Sequence, residues 1–195
     1  QARGLVLENG VYGERMTQMC AQYHIAHEVL TGSWLDAPDC GQVADRLAGG
    51  TFTHLAVVHH ETTTGRLTDI AALGQLCARH GTQLLLDGVS SFGVETIDFA
   101  GSDLGASLAA VAATANKCLH GVPGVSFVIA RRTALSGAVS RSYYTDLARL
   151  ASLQDQRNTP FTPAVPVYYA LREALREHQE QGGRVARRPR HAQLA

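Results

Sequence analysis

The 195-residue sequence lacks several features that mark whole classes of proteins. Its 17 basic and 17 acidic side chains cancel, so no excess charge points to a nucleic acid or another highly charged partner. No apolar run is long enough to cross a membrane, and the first residues lack the basic-then-apolar pattern of a signal peptide. The four cysteines are widely spaced without a CxxC pair, which favours free thiols of a cytoplasmic protein over a disulfide framework.

The residues that are present are typical of one folded domain. Hydrophobic residues make up 45% and charged residues 17% of the chain, which is enough to bury a sizeable core. The sequence does not begin with methionine, and its first residues already have the pattern of a strand. We therefore expect an internal fragment of a longer protein.

Strand-like and helix-like segments alternate along the chain. Strands are predicted at "GLVLENG", "AHEVLTG", "THLAVVHH", "TQLLLD", "SLAAVAAT" and "VSFVIARR", and helices at "YGERMTQMCAQY", "GQVADRLAGG", "LTDIAALGQLCARHG" and "VPVYYALREALREHQEQGG". This order predicts an α/β fold, with a mostly parallel sheet flanked by helices. The arginine-rich stretch after Gly182 and Gly183 is expected to be a solvated or frayed tail.

Polar residues follow three of the predicted strands. They are "ETTTG" (61–65), "DGVSS" (87–91) and "ANK" (115–117). Singly, each has an ordinary structural explanation as a helix cap, a turn or a surface lysine. Lysine is scarce, however, because most basic residues are arginine, and parallel sheets bind ligands beyond the carboxyl ends of their strands.

Together these strand ends fit pyridoxal phosphate. This cofactor needs a lysine for its Schiff base and a carboxylate for its pyridinium nitrogen. It also needs hydroxyl and amide donors for its phenolate and phosphate. A metal site is not expected, because "HIAH" and "HHE" lack the spacing of a known ligand set.

Five blocks of sequence carry a resemblance to a known family. They are "NGVYGERM", "HHETTTGRLTDI", "LLLDGVSSFG", "ANKCLHGVPGVSFVIARR" and "NTPFTPAVPVYYALREAL". Together they resemble the 2-aminoethylphosphonate–pyruvate transaminases, which are class V, fold type I pyridoxal-phosphate enzymes, over residues 9–190. The resemblance implies that residues 1–180 are part of the cofactor-binding large domain and that residues 181–195 begin a C-terminal small domain, the chain being truncated at both ends. The N-terminal phosphate-binding loop and the arginine for the substrate's acid group would then lie outside the chain.

The resemblance also implies roles for individual residues. Lys117 matches the Schiff-base lysine, which also moves the proton between substrate and cofactor. Asp87 matches the carboxylate that keeps the pyridinium nitrogen protonated, and Val89 matches the apolar residue on the ring face. Three further residues would contact the cofactor: Thr62 near its phenolic oxygen, Asn116 at its phosphate, and Thr162 at the phosphate of the neighbouring subunit's cofactor.

The function implied is transfer of the amino group of 2-aminoethylphosphonate to pyruvate, giving phosphonoacetaldehyde and alanine. A cytoplasmic homodimer that acts on these small molecules, without a nucleic-acid or membrane partner, is expected. The alternatives are another class V aminotransferase, of the alanine–glyoxylate or serine–pyruvate type, or a catalytically silent fragment. The chain alone is expected to be a poor enzyme. The interval from Asp87 to Lys117 is a few residues longer than the family pattern, and an insertion there would be able to shift the strand that carries Lys117.

Overall fold

A central β-sheet with helices packed against it forms the fold of this computed structural model, which describes residues 2–101 and 104–194. The strands are β1 (Gly4–Glu8), β2 (His27–Thr31), β3 (His54–Val58), β4 (His60–Glu61), β5 (Arg66–Leu67), β6 (Gln83–Asp87), β7 (Leu108–Thr114) and β8 (Ser126–Ala130). The helices are α1 (Val11–Gln22), α2 (Cys40–Gly49), α3 (Ile70–Arg79), α4 (Arg132–Leu135), α5 (Leu147–Asp155), α6 (Val165–Glu180) and α7 (Gly183–Leu194).

The sheet has the strand order β2-β1-β3-β6-β7-β8. All neighbouring pairs are parallel except β7 and β8, which are antiparallel, so the predicted mostly parallel sheet is confirmed. The chain passes in one direction from β1 to β2 and then returns across β1 to β3 and onward to β6. Because parallel crossovers are right-handed, α1 packs on the opposite face of the sheet from α2 and α3. This change of direction makes a switch point between β1 and β3, and parallel sheets bind ligands in the crevice beyond the carboxyl ends of their strands at such a point.

The core lies between one face of the sheet and the helices α2 and α3. Alternate residues of the central strands point into it, and the packed apolar side chains include Leu5, Leu7, Leu55, Val57, Leu84, Leu86, Val43, Leu47, Leu73 and Leu76. Each of the two helices begins at an aspartate, Asp39 or Asp69, whose carboxylate accepts backbone hydrogen bonds from the first turn. The core therefore fixes the strands whose carboxyl ends carry the polar residues identified above.

The long interval before β7 is accommodated at the end of the strand remote from Lys117. The pairing of β6 with β7 shifts register between Leu84 and Leu85, and Asp87 then pairs regularly with Ala112. The Arg131 guanidinium holds the preceding segment by donating hydrogen bonds to the carbonyl oxygens of Phe99 (2.6 Å), Leu108 (2.8 Å) and Gly105. The described part of this segment thus leaves the carboxyl end of β7 in register with β6.

The arginine-rich stretch after Gly182 and Gly183 is helical rather than a frayed tail, although most of its residues are exposed, as expected of a solvated segment. Residues 183–194 form α7, and its Arg187 is 95% buried, with 5% relative exposure. The physical reason is that the arginines of this helix find acceptors on the loops beside the sheet, described below. Within the described residues, no helix is both long and apolar enough to cross a membrane, and Cys20, Cys40, Cys77 and Cys118 are free thiols, as predicted.

Candidate active site

The loops that follow β3, β6 and β7 meet at Ser90. The hydroxyl groups of Thr62 and Ser90 share a hydrogen bond of 2.6 Å. The carbonyl oxygen of Ser90 accepts hydrogen bonds from Nδ1 of His60 (3.0 Å) and from the Cys118 thiol (3.3 Å). Because Cys118 directly follows Lys117, these bonds bring the Lys117 loop and the Thr62 loop to the same point beside β6.

Asp87 ends β6 at the centre of this arrangement. Its carboxylate Oδ1 accepts a hydrogen bond of 2.9 Å from the backbone N–H of Val89. Burial raises the pKa of the Asp87 carboxyl group and the nearby Glu61 carboxylate adds to the effect, whereas the Val89 hydrogen bond and the Arg15 guanidinium oppose it. No lysine or arginine of the described residues forms an ion pair with Asp87. A half-buried carboxylate without a paired cation can be stabilised by a cationic ligand group.

Lys117 is the only lysine in the sequence, and it lies in a tight turn after β7. Two backbone hydrogen bonds close that turn, from His120 N–H to the Lys117 carbonyl oxygen (2.9 Å) and from Gly121 N–H to the Ala115 carbonyl oxygen (2.8 Å). The Lys117 side chain is half-buried. Within residues 2–101 and 104–194, its amine has no hydrogen-bond or ion-pair partner, so it is available to a ligand.

The other predicted residues differ in how closely they approach this cluster. Val89 lines a cleft formed mainly by β7, β8, α5 and α6, and the residues that line this cleft include neither Asp87 nor Lys117. Asn116 is exposed, and its Oδ1 accepts a hydrogen bond of 2.8 Å from the Thr114 hydroxyl. Thr162 is exposed between α5 and α6, and no side-chain hydrogen bond among the described residues links it to the cluster. Its proposed place at a neighbouring subunit's cofactor stays a prediction.

Glu61 is a part of the site whose position the sequence did not reveal. It is fully buried, at 0% relative exposure. Its carboxylate accepts hydrogen bonds from the backbone N–H groups of Tyr12 and Thr63, both at 3.1 Å, and from the Thr63 hydroxyl at 2.7 Å. Since Gly10 offers no side-chain cap to α1, Glu61 serves as the acceptor for the start of that helix.

Helix α1 in turn brings Tyr12 and Arg15 to the crevice. The Arg15 guanidinium lies 4.8 Å from the centre of the Tyr12 ring, and its charge acts on Asp87. Both residues belong to the block "NGVYGERM", which carried part of the family resemblance but from which no site residue was predicted. Gly10 precedes α1 and Gly13 lies in its first turn. Glycines at these two positions were the sign in the sequence that another segment packs closely against the start of this helix.

Comparison with known proteins decides the family. The sequence profile of the family Aminotransferase class-V matches residues 27–195. The chain belongs to the class V aminotransferases. This family depends on pyridoxal phosphate, and the mostly parallel sheet flanked by helices is that of the large domain of fold type I enzymes.

Curated relatives of similar sequence share one name. The chain is 37% identical over 196 residues to the 2-aminoethylphosphonate–pyruvate transaminase of Pseudomonas putida (strain GB-1), covering 96% of the chain and 51% of the relative. It is 38% identical over 192 residues to the protein of the same name from Aeromonas hydrophila, covering 96% of the chain and 50% of the relative. The chain thus spans about half the length of the curated relatives it matches.

Solved structures of other aminotransferases have the same fold. An alanine–glyoxylate aminotransferase from Nostoc sp. superposes with a TM-score of 0.87 at 26% identity, covering 97% of this chain and 51% of the other. The pyridoxamine–pyruvate aminotransferase of Mesorhizobium loti has a TM-score of 0.84 at 27% identity, covering 98% of this chain and 49% of the other.

The residues of the crevice fit the family's cofactor. Asp87 is a half-buried carboxylate without an ion-pair partner in the described chain, which suits a protonated ring nitrogen. Gly88 leaves no space for a side chain, because a Cβ there would lie 2.7 Å from Cγ2 of Val111. The backbone after Asp87 can therefore pack directly on β7, which sets Val89 beside the carboxylate. Lys117 would supply the amine, and the Thr62 and Ser90 hydroxyl groups would supply donors.

Proposed function

We propose that the protein transfers the amino group of 2-aminoethylphosphonate to pyruvate, producing phosphonoacetaldehyde and alanine, with pyridoxal phosphate held at Asp87 and Lys117. The observation that carries this proposal is the pairing of two adjacent strands. Asp87 is in register with Ala112 of β7, and the only lysine of the sequence follows that strand. The names of the relatives at 37–38% identity support the choice of substrates.

The roles of the residues follow from their chemistry. When bound, the cofactor supplies an electron sink for the substrate's amino-bearing carbon. Asp87 would hold the ring nitrogen in its protonated form through a charge-assisted hydrogen bond. The Lys117 amine would bind the cofactor and then carry a proton as general acid and base. Val89 would pack on the ring, and the Thr62 hydroxyl, fixed by Ser90 at 2.6 Å, would orient the phenolic oxygen.

Two further residues and the assembly belong to the same proposal. Asn116 would approach the phosphate group, and Thr162 would contact the phosphate in the neighbouring subunit, so the working form would be a cytoplasmic homodimer. The boundary between a large domain of residues 1–180 and a small domain beginning at 181–195 likewise remains a prediction. The exposed aromatic residues Tyr168 and Tyr169 of α6, 49% and 58% exposed, leave apolar surface available for such an assembly.

The substrate assignment is tested with the intact protein and a panel of amino donors. With pyruvate as acceptor, alanine formation should be at least a hundredfold faster from 2-aminoethylphosphonate than from serine. With alanine as donor and glyoxylate as acceptor, turnover should be slower by a similar factor. Faster reaction with alanine and glyoxylate, while the phosphonate is ignored, would show that the enzyme is of the alanine–glyoxylate type. Loss of every transamination despite bound cofactor would favour a silent relative.

A further inference from the structure

The corner between α6 and α7 lies over the loops of the proposed site. Three of its side chains bond the segment that follows Asp87. The contacts are His178 Nε2 to the Gly93 carbonyl oxygen (2.7 Å), Arg184 Nη1 to the Thr96 hydroxyl (2.8 Å) and Arg188 Nε to the Glu95 carboxylate (3.0 Å). The last two of these contacts are exposed, so each contributes little by itself.

Arg187 differs from its neighbours because it is buried and contacts the loop that follows β7. Its Nη1 donates a hydrogen bond of 2.7 Å to the carbonyl oxygen of Cys118, and its Nη2 donates one of 3.1 Å to Gln181 Oε1. Its Nε is buried without a partner in the described part of the chain. Removing a guanidinium group from water costs free energy. The hydrogen bond from Arg187 to its specific backbone acceptor, the Cys118 carbonyl oxygen, is formed in spite of that cost.

The acceptor it holds adjoins Lys117. Cys118 is thereby fixed at two atoms, its carbonyl oxygen by Arg187 and its thiol by the Ser90 carbonyl oxygen. A second contact of α7 with the same turn is the stacking of the His120 and His191 rings, whose centres are 6.1 Å apart. The backbone that carries Lys117 is therefore held between α7 and the loop after β6.

We propose that Arg187 is a positioning residue for Lys117, acting through the Cys118 carbonyl; this inference rests on the proposed function, in which Lys117 binds the cofactor. A lysine amine reaches its target through four flexible bonds, so its aim depends on a fixed backbone. The forked guanidinium suits the task because its separate N–H groups reach the lysine turn and Gln181 together. Helix α7 thus completes the site, although it contributes no residue to the cofactor itself.

The first test measures the lysine turn directly, without cofactor. In the intact protein, Arg187→Gln should raise hydrogen exchange at the amides of His120 and Gly121, which close the turn, by about tenfold or more. Arg184→Gln is the matched control, since it removes the same charge from the same helix but loses only an exposed bond to Thr96. The control should leave exchange at both amides unchanged.

A second variant keeps the test decisive if Arg187→Gln does not fold. Arg187→Lys retains the charge and one donor but loses the fork, and about two- to fivefold faster exchange at the same amides is expected. Wild-type exchange in both variants, or in Arg187→Lys when the glutamine variant is unfolded, would overturn the proposal.

The second readout separates positioning from simple packing of α7. In the cofactor-loaded intact protein, the pH midpoint of the visible absorption band should move upward by about half a unit or more in Arg187→Gln, because a nearby cation is lost. The titratable and charged groups facing this turn are Glu95, Lys117, His120, His178, Arg190 and His191, and all are kept in the variant. Faster exchange with an unmoved midpoint would mean that Arg187 only packs α7, and the proposal would fall.

Failure of this inference can be told apart from failure of the proposed function. Unchanged exchange, combined with cofactor attached at Lys117 after borohydride reduction, would refute the role of Arg187 and leave the function standing. Faster exchange without attachment at Lys117 would refute the function, and with it the positioning role, while the hydrogen bond to Cys118 would stand.

Discussion

The buried imidazole of His59 makes the stability of the fold depend on pH. His59 follows β3 and is only 3% exposed, and its Nδ1 has no hydrogen-bond partner in the described part of the chain. Burial lowers the pKa of His59 from 6.5 to about 4, an effect that the Glu95 carboxylate partly opposes. The folded protein therefore keeps this ring neutral where the unfolded chain would protonate it.

The sign and size of the effect follow from that difference. Between pH 6.5 and pH 4 the unfolded state binds the additional proton, so the free energy of unfolding falls as the pH falls through this window. A separation of about 2.5 pKa units corresponds to roughly 3 kcal/mol in total, of which about 2.5 kcal/mol is lost between pH 7 and pH 4.5. That is a substantial part of the stability of a typical domain.

Urea unfolding at pH 7 and pH 4.5 measures this directly, using the wild type, His59→Leu and His80→Leu. The leucine at position 59 removes the titrating ring without burying another polar group. When the pH falls from 7 to 4.5, the free energy of unfolding of this variant should therefore decrease by about 2.5 kcal/mol less than that of the wild type. His80 is exposed at the end of α3, and its substitution should leave the wild-type dependence. Equal pH dependence of the His59 variant and the wild type would mean that the buried His59 ring is not the source of the effect.

Two further predictions concern the site. Asp87→Asn in the intact protein should reduce the transamination rate by about a thousandfold or more, because a neutral amide does not keep the ring nitrogen protonated; Asp69→Asn, which preserves a helix cap, should retain activity. Gly10→Ala should destabilise the fold by about 1–3 kcal/mol in urea unfolding, since its Cβ would lie 2.3 Å from Cγ of buried Glu61. In the control Gly4→Ala, the added Cβ would lie 3.8 Å from its nearest atom, so the free energy of unfolding should change little. An equally small change for Gly10→Ala would contradict the close packing of Glu61 against Gly10.

The sequence predicted those parts of the site that depend on local pattern. An apolar run followed by a polar residue marked the ends of β6 and β7, and the structure has Asp87 as the last residue of β6 and Lys117 three residues after β7. Because neighbouring parallel strands end at the same edge of a sheet, a position at that edge was predictable for both residues.

Contacts between distant segments were not predictable in the same way. Glu61 and Tyr12 are joined by a hydrogen bond across 49 positions, and Arg187 and Cys118 by one across 69. An arginine-rich stretch has the same composition whether solvent or a backbone carbonyl receives its hydrogen bonds, so composition predicted a tail where α7 packs. Helix α5 was also missed, although Asp146 caps its first turn at the Arg149 N–H, because its pattern of apolar residues is short.

Borohydride reduction of the cofactor-loaded intact protein shows whether Lys117 binds the cofactor. Reduction fixes the cofactor to the amine that holds it, and peptide mapping by mass spectrometry then locates the attachment. Because Lys117 is the only lysine of this 195-residue sequence, we expect the pyridoxyl group on the peptide that contains it. If the intact protein binds pyridoxal phosphate but carries the label on another peptide, with Lys117 unmodified, then Lys117 does not bind the cofactor.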